Sequence, residues 1–161
     1  MHKNTDFSKI NSKYVLVLDS DALGLCLISG ANYVNVELKV NAPKGGHSAN
    51  DIGDKTRKNA AKLIADLIAD MPQGVFYSAN GKVVTSCNIG GISAGNLNIT
   101  NVINTDAKAT YSIRSSNKEK ENELIQTMQK TVDAFNKKYE GIATATIIFA
   151  EKIPMFEKNN D

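Results

Sequence analysis

The chain has 161 residues, of which 42% are hydrophobic, and its 19 basic and 17 acidic side chains leave a formal charge of +2. That length holds one compact domain and a short extra segment, and the hydrophobic fraction is enough to bury a core. The weak charge, the 6% of aromatic residues and the lack of Trp argue against a nucleic-acid groove, an anionic membrane surface or a base-stacking platform.

The first ten residues, MHKNTDFSKI, have no apolar centre, so no signal peptide is visible. No later run is long enough to span a membrane, and a soluble, cytoplasmic protein is expected. Tyr14–Leu18 is a continuous apolar run that suits a strand buried on both faces. Asp19-Ser20-Asp21 breaks it and Leu25–Ile28 resumes it. Cys26 and Cys87 lie far apart without CxxC spacing, which favours two buried free thiols over a disulfide or a metal site.

Ser29–Asn32 reads as a turn and a domain boundary. In Tyr33–Val40, Val34, Val36, Leu38 and Val40 share one face of a strand, and Asn35, Glu37 and Lys39 share the other. Pro43 and Gly45-Gly46 end it. Over Asn59–Met71 the apolar residues Ala60, Leu63, Ile64, Leu67, Ile68 and Met71 recur at helical spacing. Val75–Tyr77 and Val83–Ile89 flank Asn80-Gly81, the strongest short hairpin signal. Gly90–Asn98 is rich in Gly, Ser and Asn and reads as a loop.

Val102–Arg114 contains a strand with Ala107, Ala109, Tyr111 and Ile113 on one face. Ser116–Glu119 has the form of a capping box and opens a helix with the stripe Leu124, Met128, Val132, Phe135 and Tyr139. Gly141 ends that helix, and Ile142–Phe149 is a final β-branched strand. This order predicts an α+β, ferredoxin-like two-layer sandwich, with an antiparallel sheet and both helices on one face. The expected division is an extension over residues 1–30, the sandwich over 31–151 and a polar, frayed tail over 152–161.

One motif asks for chemistry. Lys44-Gly45-Gly46-His47-Ser48 sits between the first strand and the first helix. Adjacent glycines let the chain turn sharply and let another molecule approach the backbone. His is the side chain best suited to donate a hydrogen bond or proton near neutral pH.

Together with four other pieces, this motif resembles the lid, or dimerization, domain of di-zinc metallopeptidases that include aminoacyl-histidine dipeptidase, tripeptidase T and the aminoacylases. Val17-Leu18-Asp19-Ser20-Asp21 resembles the strand end that supplies a zinc-binding carboxylate. The Lys44–Ser48 turn resembles the lid's histidine turn, and Asp51-Ile52, Arg57 and Asn59-Ala60 continue it. Asn101-Val102-Ile103 resembles the Asn-Val-Ile-Pro element, with Asn104 where the family usually has proline; losing that fixed φ is expected to loosen the turn. Tyr111-Ser112-Ile113-Arg114 resembles a strand ending in a substrate-binding arginine.

The resemblance implies metal-assisted amide hydrolysis by a full-length enzyme with two zinc ions held mainly by a separate catalytic domain. Asp19 would be the one metal ligand in this chain, too few for a zinc site, so the chain alone is expected to be inactive. His47 is implied as the catalytic oxyanion donor, usually acting in the partner subunit's site, and Asn101 and Arg114 as substrate-binding residues. Lys44, Asp51 and Arg57 are read as structural. The implied partners are the catalytic domain of the same enzyme, a second copy joined through the lid, and a peptide substrate. Nucleic acid and membrane are not expected. The competing reading is a stand-alone ferredoxin-like small-molecule or interaction domain without catalysis.

Overall fold

The computed structural model describes residues 6–9, 11 and 29–156; the expectations for His2, Asp19, Asp21 and Cys26 lie outside them. Strand β1 (Tyr33–Asn41) forms because β-prone residues alternate with polar ones, and Val34, Val36, Leu38 and Val40 are all buried. A two-residue strand β2 (Gly46–His47) follows, then helix α1 (Ala60–Ala69). The side chain of Asn59 caps α1 by accepting the Ala61 N–H. The helix stops short of the expected Met71, but Met71 is still buried. Its apolar stripe buries Ala60, Leu63, Ile64 and Leu67, and each fully buried Leu or Ile contributes roughly 1.5–3 kcal/mol.

Strands β3 (Gly74–Ala79) and β4 (Lys82–Ala94) make the expected hairpin. Asn80 and Gly81 both hold positive φ, 51° and 72°, as a turn matched to strand twist requires. The expected loop at Gly90 is a continuation of β4 to Ala94. Its pairing shifts register between Ile89 and Gly91, so the glycines make a bulge instead of ending the strand.

Strand β5 (Val102–Ile103) pairs with β2 as a separate ribbon, and β6 (Asp106–Ser115) enters the main sheet. Helix α2 (Lys118–Lys138) starts one residue later than a Ser116 capping box requires. Asn117 is the cap and accepts the Lys120 N–H, while the Ser115 hydroxyl takes the Asn117 N–H. Gly141, at φ 71°, follows the helix, and β7 (Thr144–Ile153) closes the chain. The tail expected to fray from Lys152 instead continues β7 through Ile153, and Phe156 bridges to Gly30.

The main sheet has the order β3-β4-β6-β1-β7, with every pair antiparallel. Strands β7-β1-β6-β4 are the ferredoxin-like set, and β3 is an added edge. Both helices pack on one face: α1 against β6, β1 and β4, and α2 against β7, β6 and β4. The core between the layers joins Leu38, Ile64, Leu67, Ile113, Leu124 and Met128. Among the described residues, no helix is long and apolar enough to cross a membrane.

Candidate functional site

The β2–β5 ribbon stands at the end of the sheet where β1 finishes and β6 begins. Gly46 pairs with Ile103 and His47 with Val102. Ser48 N–H donates to the Asn101 carbonyl at 3.0 Å, so the two motifs that carry His47 and Asn101 are stitched by backbone. The result is direct: His47 Nε2 lies 3.1 Å from the terminal amide nitrogen of Asn101. Both residues are exposed.

The protonation pattern of this pair follows from one contact. Ala49 N–H lies 3.1 Å from His47 Nδ1, and a backbone N–H can only donate. Nδ1 is therefore the acceptor, and in the neutral ring the proton resides on Nε2. With the proton on Nε2, the Asn101 carboxamide must make a half-turn about its last bond to face Nε2–H with its oxygen in place of the nitrogen that lies there. With Nδ1 occupied by the Ala49 N–H, Nε2 is the ring atom left to donate at the outer edge of the ribbon.

Charged residues brace the turn behind His47. Asp51 Oδ2 accepts the His47 N–H at 2.7 Å, and Asp51 N–H donates to the His47 carbonyl at 2.9 Å. Arg57 binds the Gly45 carbonyl through Nη1, stands 3.2 Å from Asp54 through Nε, and reaches to 3.8 Å of Asp51 through Nη2. Lys44 Nζ donates to Thr56 at 3.1 Å. Two hydrogen bonds from Thr56, with Arg57 and Lys44 nearby, hold the Asp54 carboxyl below its ordinary range. Gly46 is required here, because a Cβ on it would meet Asp51 Oδ2 at 2.7 Å.

Asn104 does not leave its turn slack. Its carbonyl accepts the Ala60 N–H at 2.8 Å, which ties the ribbon to the start of α1. Its side chain lies against Gly95, where a Cβ would come within 2.7 Å of it. Hydrogen bonds and packing hold the position that proline would have held through φ.

Arg114 is elsewhere. It is the penultimate residue of β6, eight positions from Asp106 and on the face away from the helices. At about 3.4 Å per residue, roughly 27 Å of strand separates it from the ribbon end. Its guanidinium carbon sits 4.2 Å over the centre of the Tyr33 ring, a cross-strand cation–π contact. The structure therefore brings His47 and Asn101 together and sets Arg114 apart from both. Among the described residues, no three His, Cys, Asp or Glu side chains converge as a metal site.

Sequence reasoning missed the roles of Ala49 and Asp51 in holding the ring, and of Tyr33 beneath Arg114. Only Gly46 next to a histidine hinted at the first. The second needed the β1–β6 register, which pairs Val34 with Ile113.

A family model described as the peptidase dimerisation domain matches residues 32–140. The chain belongs to the peptidase dimerisation domain family. Solved structures share the fold of this dimerisation domain. Aminopeptidase PepT from Bacillus cereus superposes with a TM-score of 0.78 at 24% identity, over 99% of this chain and 40% of its own. A tripeptidase from Staphylococcus aureus gives 0.66 at 18% identity, over 84% of this chain and 33% of its own. The aminobenzoyl-glutamate utilization protein from Klebsiella pneumoniae gives 0.62 at 14%, over 81% and 31%. This dimerisation domain thus spans about two fifths of the length of the aminopeptidase. No curated protein matches the chain in sequence.

Proposed function

We propose that this chain is the lid and dimerisation domain of a di- or tripeptidase, and that His47 donates a hydrogen bond to the oxyanion formed during peptide-bond hydrolysis. The observation that carries the reading is the His47–Asn101 pair, held on an exposed ribbon with the Ala49 N–H 3.1 Å from Nδ1. When a nucleophile adds to a peptide carbonyl, negative charge collects on its oxygen. A donor already oriented toward that oxygen stabilises the transition state without reorganising, an effect worth about 2.7–4 kcal/mol for one donor. Asn101 supplies a second polar group to the same substrate.

Arg114 would grip the substrate's free carboxylate with its planar fork. One chain cannot bring Arg114 and His47 to one small peptide across the length of β6. A homodimer removes the conflict, because one site can take Arg114 from its own subunit and His47 from the other. Support for the contact comes from α1 and the neighbouring part of β4. β3 covers only Lys82–Cys87, so the outer edge of β4 is open beyond them, with Ile92 exposed. Gln73 meets that edge by accepting the Ile89 N–H at 2.9 Å.

The described residues do not supply a zinc site, so in this reading the two zinc ions belong to the catalytic domain. Asp19, outside those residues, is the one ligand proposed from this chain. Residues 1–30 are proposed as the end of that catalytic domain.

Mixing full-length His47→Ala and Arg114→Ala enzymes tests the shared site. Each mixed dimer should recover one intact site and hence peptidase activity. Two inactive parents that stay inactive after subunit exchange would overturn the reading.

A further inference from the structure

We infer that Asp51 and Arg57 are positioning residues that lock His47 as its Nε2–H tautomer, with Asp51 acting through hydrogen-bond geometry. Turnover depends on this device only if His47 is the oxyanion donor proposed above. The tautomer itself does not.

A histidine ring in water exchanges between two neutral forms. A ring protonated on Nδ1 would turn a lone pair, not a proton, toward an oxyanion, and would repel it. The turn from His47 to Asp51 removes that form. Asp51 closes it at both ends, accepting the His47 N–H at 2.7 Å and donating its own N–H to the His47 carbonyl at 2.9 Å. Closure brings the Ala49 N–H to 3.1 Å from Nδ1. An Nδ1–H form would set two donors against each other there and leave both unsatisfied. Arg57 then fixes the closing residue, reaching Asp51 Oδ1 with one nitrogen and the Gly45 carbonyl with another.

The second glycine of the motif has its explanation in the same place. The Asp51 carboxylate occupies the space of the missing Cβ of Gly46, with Oδ2 2.7 Å from where that atom would lie. Glycine, histidine, aspartate and arginine are thus one device rather than a motif with structural neighbours. Asp51 and Arg57 are each about one-third exposed, at 34% and 30%, so the backbone bonds to Asp51 matter more than the screened charge between the pair.

The test reads the ring directly. Long-range proton–nitrogen correlation distinguishes protonated from bare imidazole nitrogens, and a His2→Gln background leaves His47 as the single ring. At about pH 9, where histidine is neutral, the folded chain should favour Nε2–H about fivefold more than the urea-unfolded chain does. Asp51→Ala should return the ratio to the unfolded value. Asp51→Asn, which keeps the accepting oxygen, should preserve it, and Arg57→Ala should weaken it. A folded ratio equal to the unfolded one, or an Asp51→Ala ratio equal to wild type, overturns the inference. If Asp51→Ala does not fold, Arg57→Ala is judged by the same two outcomes. In the full-length enzyme, Asp51→Ala should lower kcat with KM unchanged. A locked tautomer in an enzyme whose turnover ignores His47→Ala would sink the proposed function and leave the positioning device standing.

Discussion

The two ends of the sheet hold their polar residues in opposite ways. At the ribbon end, His47 is bound through its N–H, its carbonyl, Nδ1 and Nε2, each with a named partner. At the other end, Arg114 rests on the face of Tyr33, its guanidinium carbon 4.2 Å from the ring centre. The first arrangement suits a donor that must meet a short-lived charge in one orientation. The second suits an arm that must close on a carboxylate present throughout the reaction. In the proposed function, rigid placement and loose tethering would match when each charge exists.

Removing each residue in turn should separate these roles, and the largest effect belongs to the rigid end. His47→Ala in the full-length enzyme should cut kcat by about 10²–10³-fold, with KM little changed. The isolated domain should melt within about 0.5 kcal/mol of wild type, since His47 is exposed and is not a member of the core. Steady-state kinetics and thermal melts check both halves, and normal turnover would erase the contrast between the two ends.

The core between the ends should fail next, under alkali. Burial pushes the Tyr111 phenol up to about 12 from its ordinary value near 10. An acid whose folded pKa is raised contributes its full stability below the unfolded value. That stability disappears as pH climbs from about 10 to about 12, roughly 2–3 kcal/mol in all. Urea midpoints followed upward from neutral pH should fall in that window, and Tyr111→Phe should flatten the fall.

Arg114→Ala should raise KM by about tenfold or more, the loss of a charge-assisted pair, with a smaller change in kcat. Tyr33→Leu should have the smallest effect. It removes a cation–π contact worth about 0.5–1 kcal/mol at an exposed site and should raise KM a few-fold. If Tyr33→Leu equals Arg114→Ala, the ring positions the arginine rigidly and the two ends of the sheet do not differ in this respect.

The fold was legible because its signals are local and repeated. Val34–Val40 alternate, the Ala60–Met71 stripe repeats, and Asn80-Gly81 marks its hairpin. The errors fell where a residue's role depends on a distant partner. Gly90-Gly91 read as a loop because nothing in the segment reveals that β6 lies alongside and keeps it in register. Ser116 read as the cap because Ser115 and Asn117 share the work with Thr85, whose hydroxyl is 2.7 Å from that of Ser115 across 30 residues. His47 and Asn101 stood out by residue type, but their contact spans 54 positions and needs the β2–β5 pairing. No spacing rule gives the distance from either to Arg114, which depends on how far β6 runs.

The interior place of β1 has a consequence for synthesis. Val36 has Tyr111 on one side and Phe149 on the other, both far along the chain. During translation, four valines and leucines of β1 leave the ribosome with no strand to cover their edges until β6 appears, and one edge stays open until β7 does. The β3–β4 hairpin, closed by a two-residue turn, has no such wait. Contacts of this range form slowly and expose apolar strands meanwhile. A chain stalled before Thr144 would present β1 as an open edge of the main sheet, a nascent species suited to capture by chaperones or to aggregation.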